Sequence, residues 1–114
     1  MNIEHEDLSE GMRRVALSGR LDFHGVEAII GQLSALLASS ETHALVDLTR
    51  ATMICSMGIR ALILNAKNMQ QRGGRMALVV SDGTIVSATL RSVGIESLLP
   101  VFSSLPEAKK ALQP

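Results

Sequence analysis

The stretch from Ala44 to Gly74 constrains this chain most, because two hydrophobic patterns of different period follow one another there. Ala44-Leu45-Val46-Asp47-Leu48 is a short apolar run bounded by Thr49 and Arg50, which suits a strand buried on both faces. After a connection from Thr49 to Cys55, Ile59, Leu62, Ile63, Ala66 and Met69 recur at helical spacing, until Gly73-Gly74 stops the pattern. Ser56 stands where the helix begins. A serine there can cap free backbone N–H groups with its side-chain oxygen. Its hydroxyl would then lie at the carboxyl end of a parallel strand, where open α/β sheets usually place their sites.

The same alternation runs through the rest of the chain. Met1 to Glu6 reads as a short polar edge strand, Asp7 to Gly11 as a turn, and Met12 to Ser18 as a strand with Val15 and Leu17 on one face. Val26, Ile29, Ile30, Leu33, Leu36 and Leu37 form the clearest amphipathic stripe, ended by Ser39 to Thr42. Met76 to Val80 is a further apolar strand. Asp82 or Thr84 can cap a short helix carrying Ile85, Val86, Leu90 and Val93, closed by Gly94. Leu98 to Phe102 reads as a last edge strand because it contains Pro100. Ser104 and Glu107 have capping-box spacing ahead of a terminal helix. One strand followed by four βα units predicts a mainly parallel sheet in a single domain over residues 1–114. The parallel strands are expected near 13–18, 44–49 and 75–80, and the main helices over about 25–38 and 57–72.

Composition removes several function classes. The 11 basic residues balance the 11 acidic ones, so no electrostatic footprint for nucleic acid or a membrane surface is present. Two Phe without Trp or Tyr make a base-stacking platform an unsuitable reading. The single Cys excludes an internal disulfide and fits a reducing compartment. An acidic N-terminus, and the lack of an apolar run long enough to span a membrane, lead us to expect a cytoplasmic protein.

Val46-Asp47-Leu48, a short loop, and then Ser56-Met57-Gly58-Ile59-Arg60-Ala61-Leu62 resemble the signature of STAS domains, most of all the bacterial anti-sigma-factor antagonists. Ser18-Gly19-Arg20-Leu21-Asp22 is similar to the Gly-x-Leu-Asp segment of the same family. The resemblance covers nearly the whole chain. It implies an α/β STAS fold of four βα units plus an N-terminal strand. It also implies reversible binding to an anti-sigma factor with serine kinase activity, phosphorylation of Ser56, and resetting by a serine phosphatase. Any ATP would belong to the kinase, so no cofactor and no enzymatic activity are expected, and the chain should be a monomer or weak dimer. Asp22, Cys55, Ser56, Met57, Gly58 and Arg60 are the implied partner-binding residues. Two positions depart from the family pattern: Cys55 replaces an Asp, and Met57 replaces a small residue.

Read without the resemblance, each of these residues has a plainer role. Ser56 can be a simple cap, and Asp22 and Asp47 can order loops through backbone hydrogen bonds. Cys55 can be a small buried hydrophobe, chemically quiet and out of reach of any histidine. A Cys55–His24 nucleophile–base pair lacks the rest of a triad, and His5, His24 and His43 show no zinc-like spacing with Cys55. Neither Gly73-Gly74 nor Asp82-Gly83 opens a phosphate-binding fingerprint. Met53, Met57 and Met69 can fill the core or form a soft patch, with Met57 the candidate exposed anchor. A STAS scaffold subunit that is never phosphorylated, an accessory module for a small ligand or lipid pathway, and a Cys enzyme stand as alternatives.

Overall fold

A computed structural model describes residues 2–8, 11–38 and 43–113. The chain runs β1 (Asn2–Asp7), β2 (Met12–Leu21), α1 (Phe23–Ala38), β3 (His43–Ile54), α2 (Ser56–Gln71), β4 (Arg75–Val79), α3 (Ile85–Ser92), a 3-10 turn at Ile95–Ser97, β5 (Val101–Phe102) and α4 (Leu105–Leu112). The five strands lie side by side in chain order. β1 pairs antiparallel with β2, and every later pairing is parallel. The sheet is therefore mainly parallel, with β1 and β5 at its edges, as the alternation predicts.

Side-chain alternation sorts the strands into two layers. Val15 and Leu17 of β2, Ala44, Val46 and Leu48 of β3, and Met76 and Leu78 of β4 face one way. They pack against Val26, Ile29 and Leu33 of α1, Leu62 and Ala66 of α2, and Val86 and Leu90 of α3. Met12, Leu45, Ala77 and Val79 face the other way, under Ala108 and Leu112 of α4. β3 and β4 are thus covered on both faces, which is why their sequences read as continuous apolar runs.

The structure corrects several boundaries. Thr49 to Ile54, expected as a connection, extends β3 and pairs with Ser18 to Leu21 of β2. The register slips between Ala16 and Ser18 and again between Gly19 and Arg20, so β3 carries an extra residue at each place. Each extra residue shifts the buried position from every second residue to every third, giving Leu48, Ala51 and Ile54. Opposite the bulges, Gly19 takes a φ of 88°, which glycine adopts without a Cβ clash. Leu98-Leu99-Pro100 lies outside β5, which has only Val101 and Phe102, because the chain turns through the 3-10 segment first. In α3 only Val86 and Leu90 of the expected stripe are buried, while Ile85 and Val93 stay exposed. The expected segments at Met1, Ser9-Glu10 and 39–42 lie outside the described residues.

Because β2, β3 and β4 are parallel and each is followed by a helix, α1, α2 and α3 all begin at the carboxyl end of the sheet. That common edge holds the candidate site.

Candidate functional site

At the carboxyl edge, α1 begins under a well-formed cap. The Asp22 side chain accepts from the Gly25 N–H at 2.9 Å, and its carbonyl accepts from Val26 at 2.9 Å. The Gly25 bond holds the Asp22 carboxyl below the usual carboxylate range. Burial opposes it less strongly, and the neighbouring Arg20 adds to the lowering. Thr84 caps α3 through Ser87 N–H at 3.2 Å, and Ser104 caps α4 through Glu107 N–H at 3.4 Å.

α2 begins differently. Its cap position is Cys55, extended at φ −90° and ψ 170°, and the thiol makes no capping hydrogen bond. Ser56 is the first helical residue and not the cap the sequence predicts. The helix register places the hydroxyl one residue too late to accept from its own first turn. The first intrahelical bond runs from Ile59 N–H to the Cys55 carbonyl at 3.1 Å. The N–H groups of Ser56, Met57 and Gly58 therefore have no partner within the helix. No acidic residue lies in this first turn. The Ser56 side chain is exposed, and so is Arg60 one turn later.

The close approach of Gly58 to its neighbours fixes this helix start. Gly58 is buried, and a Cβ there would lie 3.0 Å from Cγ1 of Ile54 and 3.1 Å from Cγ2 of Val26. The missing side chain lets the first turn of α2 rest on the end of β3 and on α1 at once. Cys55 N–H donates to the Leu21 carbonyl at 2.9 Å, which ties the start of α2 to the end of β2 and so to Asp22. Asp22, Cys55, Ser56, Gly58 and Arg60 are brought to one edge in this way.

Cys55 is half-buried against the main core and not largely enclosed as expected. Among the described residues no hydrogen bond joins its thiol to a histidine, and no group of three or more metal-ligating side chains is present. Met57, expected as an exposed anchor, packs against the core as a half-buried side chain, and Met69 is fully buried. The exposed apolar groups at this edge are instead Phe23, 55% accessible, and Ile85, 68% accessible, at the starts of α1 and α3. Sequence reading missed both, because Ile85 reads as part of the buried stripe of α3 and Phe23 stands ahead of the stripe of α1.

Asp47 lies elsewhere. It is buried in the middle of β3, paired with Ala16 and Val79 on its two sides, eight residues before Cys55. Its carboxylate accepts from the Thr49 N–H at 2.9 Å, the Thr49 hydroxyl at 2.7 Å, and Arg14 Nη2 at 2.7 Å. Burial pushes its pKa up, but Thr49 and Arg14 together outweigh burial and hold it below the usual range. Asp47 therefore orders the bulged part of β3, and not the loop that the sequence leads one to expect there.

The family model for the STAS domain matches residues 7–108. The chain belongs to the STAS domain family. It is 28% identical over 107 residues to BtrV of Bordetella bronchiseptica, provisionally named an anti-sigma factor antagonist. That match covers 94% of this chain and 91% of that protein. The STAS fold here is similar to the crystal structure of an anti-sigma factor antagonist from Mycobacterium paratuberculosis, with a TM-score of 0.89 and 20% identity, over 99% of this chain and 94% of that one. It is also similar to SpoIIAA in its unphosphorylated form, with a TM-score of 0.76 and 20% identity, over 96% of this chain and 95% of that one. At these identities the two solved structures show the common STAS fold. No helix among the described residues is long and apolar enough to cross a membrane.

Proposed function

We propose that this STAS domain is an anti-sigma-factor antagonist that binds an anti-sigma factor through the carboxyl edge of its sheet and is switched by phosphorylation of Ser56. The observation that carries this reading is the exposed Ser56 hydroxyl at the first position of an uncapped helix, beside three N–H groups without helical partners. A phosphate there would be favoured by those N–H groups and by the helix dipole. The similarity to BtrV adds the class of partner.

In the proposed reaction the Ser56 oxygen attacks the γ-phosphorus of ATP held by the partner kinase. The new bond is Oγ–P, and the bond from that phosphorus to the bridging oxygen of ADP breaks. The hydroxyl proton passes to a base of the kinase. The ester brings about −1.5 to −2 charges to an edge that carries none of its own at Ser56. Burying that charge in an interface shaped for a hydroxyl is costly, so the complex dissociates. A serine phosphatase reverses the change by hydrolysing the ester. Asp22, Cys55, Met57, Gly58 and Arg60 frame the contact, Gly58 through the backbone it lets approach, and Phe23 and Ile85 add apolar area. The chain itself supplies no catalytic group and needs no cofactor in this scheme.

The test is incubation with ATP and the serine-kinase anti-sigma factor captured from the native cell, followed by intact mass and peptide mapping. One added phosphate on Ser56 is the expected result. Stable binding without any added phosphate would favour a second reading, a STAS scaffold that is not phosphorylated. The uncapped Cys55, standing where the family has an acid, is the observation behind that alternative.

A further inference from the structure

Ser56 and Arg60 stand four residues apart on α2 and so occupy neighbouring positions on one helix face, with Cβ atoms about 5–6 Å apart. Helical side chains lean toward the N-terminus, which directs the Arg60 guanidinium back over the first turn. Arg60 is exposed and makes no hydrogen bond or ion pair among the described residues. The arginines at 13, 14, 20, 72, 75 and 91 each hold a carboxylate or a carbonyl, and only Arg50, exposed on β3, shares this lack of a bond among the described residues. A cation near the positive end of a helix is unfavourable, and no acid in the first turn of α2 offsets it. In the unmodified, unbound chain no hydrogen bond or ion pair among the described residues holds Arg60 in this place.

We infer that Arg60 is the intramolecular partner of the phosphate ester on Ser56. The inference rests on the switch proposed above and adds what the modified residue does next. The guanidinium offers paired N–H donors that match phosphate oxygens, and it is one helical turn away. Phosphorylation then alters the binding edge twice. It places an anion at Ser56, and it draws Arg60 away from the anti-sigma factor and onto its own helix. The paired phosphate is held against α2 and is less free to meet a cation of the partner, so the two states of the surface differ by more than one added charge.

The experiment uses the full chain with phosphoserine installed at position 56 during synthesis, and follows the phosphorus resonance through a pH titration. The second pKa of an unpaired phosphoserine lies at about 6. With Arg60 in place it should lie lower. In Arg60→Gln it should rise by roughly 0.3–0.7 unit, about a two- to fivefold gain in proton affinity, as for an exposed ion pair. Arg60→Lys should restore part of the shift, because a point charge replaces the fork. Lys67→Gln, about 16 Å from Ser56 along the helix, should leave the titration unchanged. An equal pKa in Arg60→Gln and the parent chain, or an equal rise in Lys67→Gln, would overturn the assignment of Arg60 alone. The titration needs no kinase, so the two proposals fail separately. A wild-type Ser56 that the partner kinase never modifies overturns the switch, and the physiological role of Arg60 with it.

Discussion

The starts of α1 and α2 are built from the same parts and finished differently. Both follow parallel strands, both lie at the carboxyl edge of the sheet, and a hydrogen bond from Cys55 N–H to the Leu21 carbonyl ties one to the other. α1 opens on Asp22, whose carboxylate takes up the Gly25 N–H. α2 opens on Cys55, which takes up nothing, and leaves the first N–H groups to solvent or to a partner. A helix start finished by its own side chain is a structural joint. One left open, with a hydroxyl on its first residue, is free to be changed by something from outside.

The largest effect expected from this difference is on binding. Ser56→Ala removes an exposed hydroxyl that caps nothing, so stability should change by less than about 0.5 kcal/mol and the partner should still bind. Ser56→Asp adds an acid at the positive end of the helix, so the fold should be at least as stable, by about 0.3–1 kcal/mol. The same carboxylate enters an interface shaped for a hydroxyl, with Arg60 of its own helix as the nearest cation, and should weaken binding by roughly 2–5 kcal/mol. Calorimetric titration of both variants against the anti-sigma factor gives the comparison directly. Equal affinities, with both chains folded, would remove Ser56 from the interface and leave α2 no more open in function than α1.

Acid separates the two helix starts in a second way. The Asp22 and Asp47 carboxyls are both held below the usual range in the folded chain. The stability they contribute is present above the unfolded value, near 3.8, and is lost as pH falls through the lower folded value. Protection of the Gly25 amide relative to its intrinsic exchange rate should therefore fall on acidification, while that of Gly58, with no carboxylate at its cap, should follow only the global loss. Asp47→Asn tests the other carboxylate. It leaves Arg14 short of its close partner and should cost about 1–3 kcal/mol at neutral pH, read by urea unfolding. An Asp47→Asn chain as stable as the parent would mean that the Arg14–Asp47–Thr49 network contributes only order.

The third effect tests why α2 can sit where it does. Gly58→Ala gains helix propensity of up to about 1 kcal/mol. It also puts a Cβ within 3.0 Å of Ile54 and 3.1 Å of Val26, both packed in the core. Overpacking of that kind costs about 1–3 kcal/mol, so a net loss near 1 kcal/mol is expected, with a lower Tm. Gly31→Ala is the matched control, since a Cβ there meets nothing within 4 Å, and it should gain stability. If both substitutions stabilise, the contact at Gly58 is soft and the helix start is not fixed by it.

How much of this was legible in the sequence follows from the same residues. β3 and β4 were legible because both faces are buried, and α1 because Val26, Ile29, Leu33 and Leu37 keep one face in the core. The second half of β3 was not, since two extra residues turn its period of two into a period of three and leave Thr49, Arg50 and Thr52 exposed. The start of α2 was placed one residue late for a chemical reason. Serine is a favoured cap and cysteine is not, yet the register is set by the fit of Gly58 against Ile54 and Val26, which no local preference records. Asp22 was legible as a loop-ordering residue. Its partner edge was only half legible, because the exposure of Phe23 and Ile85 depends on which side of their helices meets the sheet.

The smallest effect expected is the one that decides what makes α2 different. If the missing acceptor at position 55 is the whole difference, then Cys55→Asp should finish α2 as Asp22 finishes α1, with the new carboxylate accepting from the N–H of Met57 or Gly58. The gain should be about 0.5–1 kcal/mol at neutral pH, or a few degrees in Tm, offset in part by the packing the half-buried thiol gives up. The carboxylate would be stabilised in its charged form by those N–H groups. Its gain should therefore be present above about pH 4 and disappear as pH falls through the lower folded value. Cys55→Ser supplies an uncharged acceptor, so its smaller gain should persist in acid. No gain from either variant would mean that the open helix start has another cause than the lack of a cap. The same two chains, offered to the kinase, then separate capping from modification. A faster reaction in Cys55→Asp alone would show that the acid orients the neighbouring hydroxyl, and that Cys55 slows the switch. Stabilisation without any change in rate would make Cys55 a neutral replacement, with Ser56 addressed by the kinase through its exposure alone.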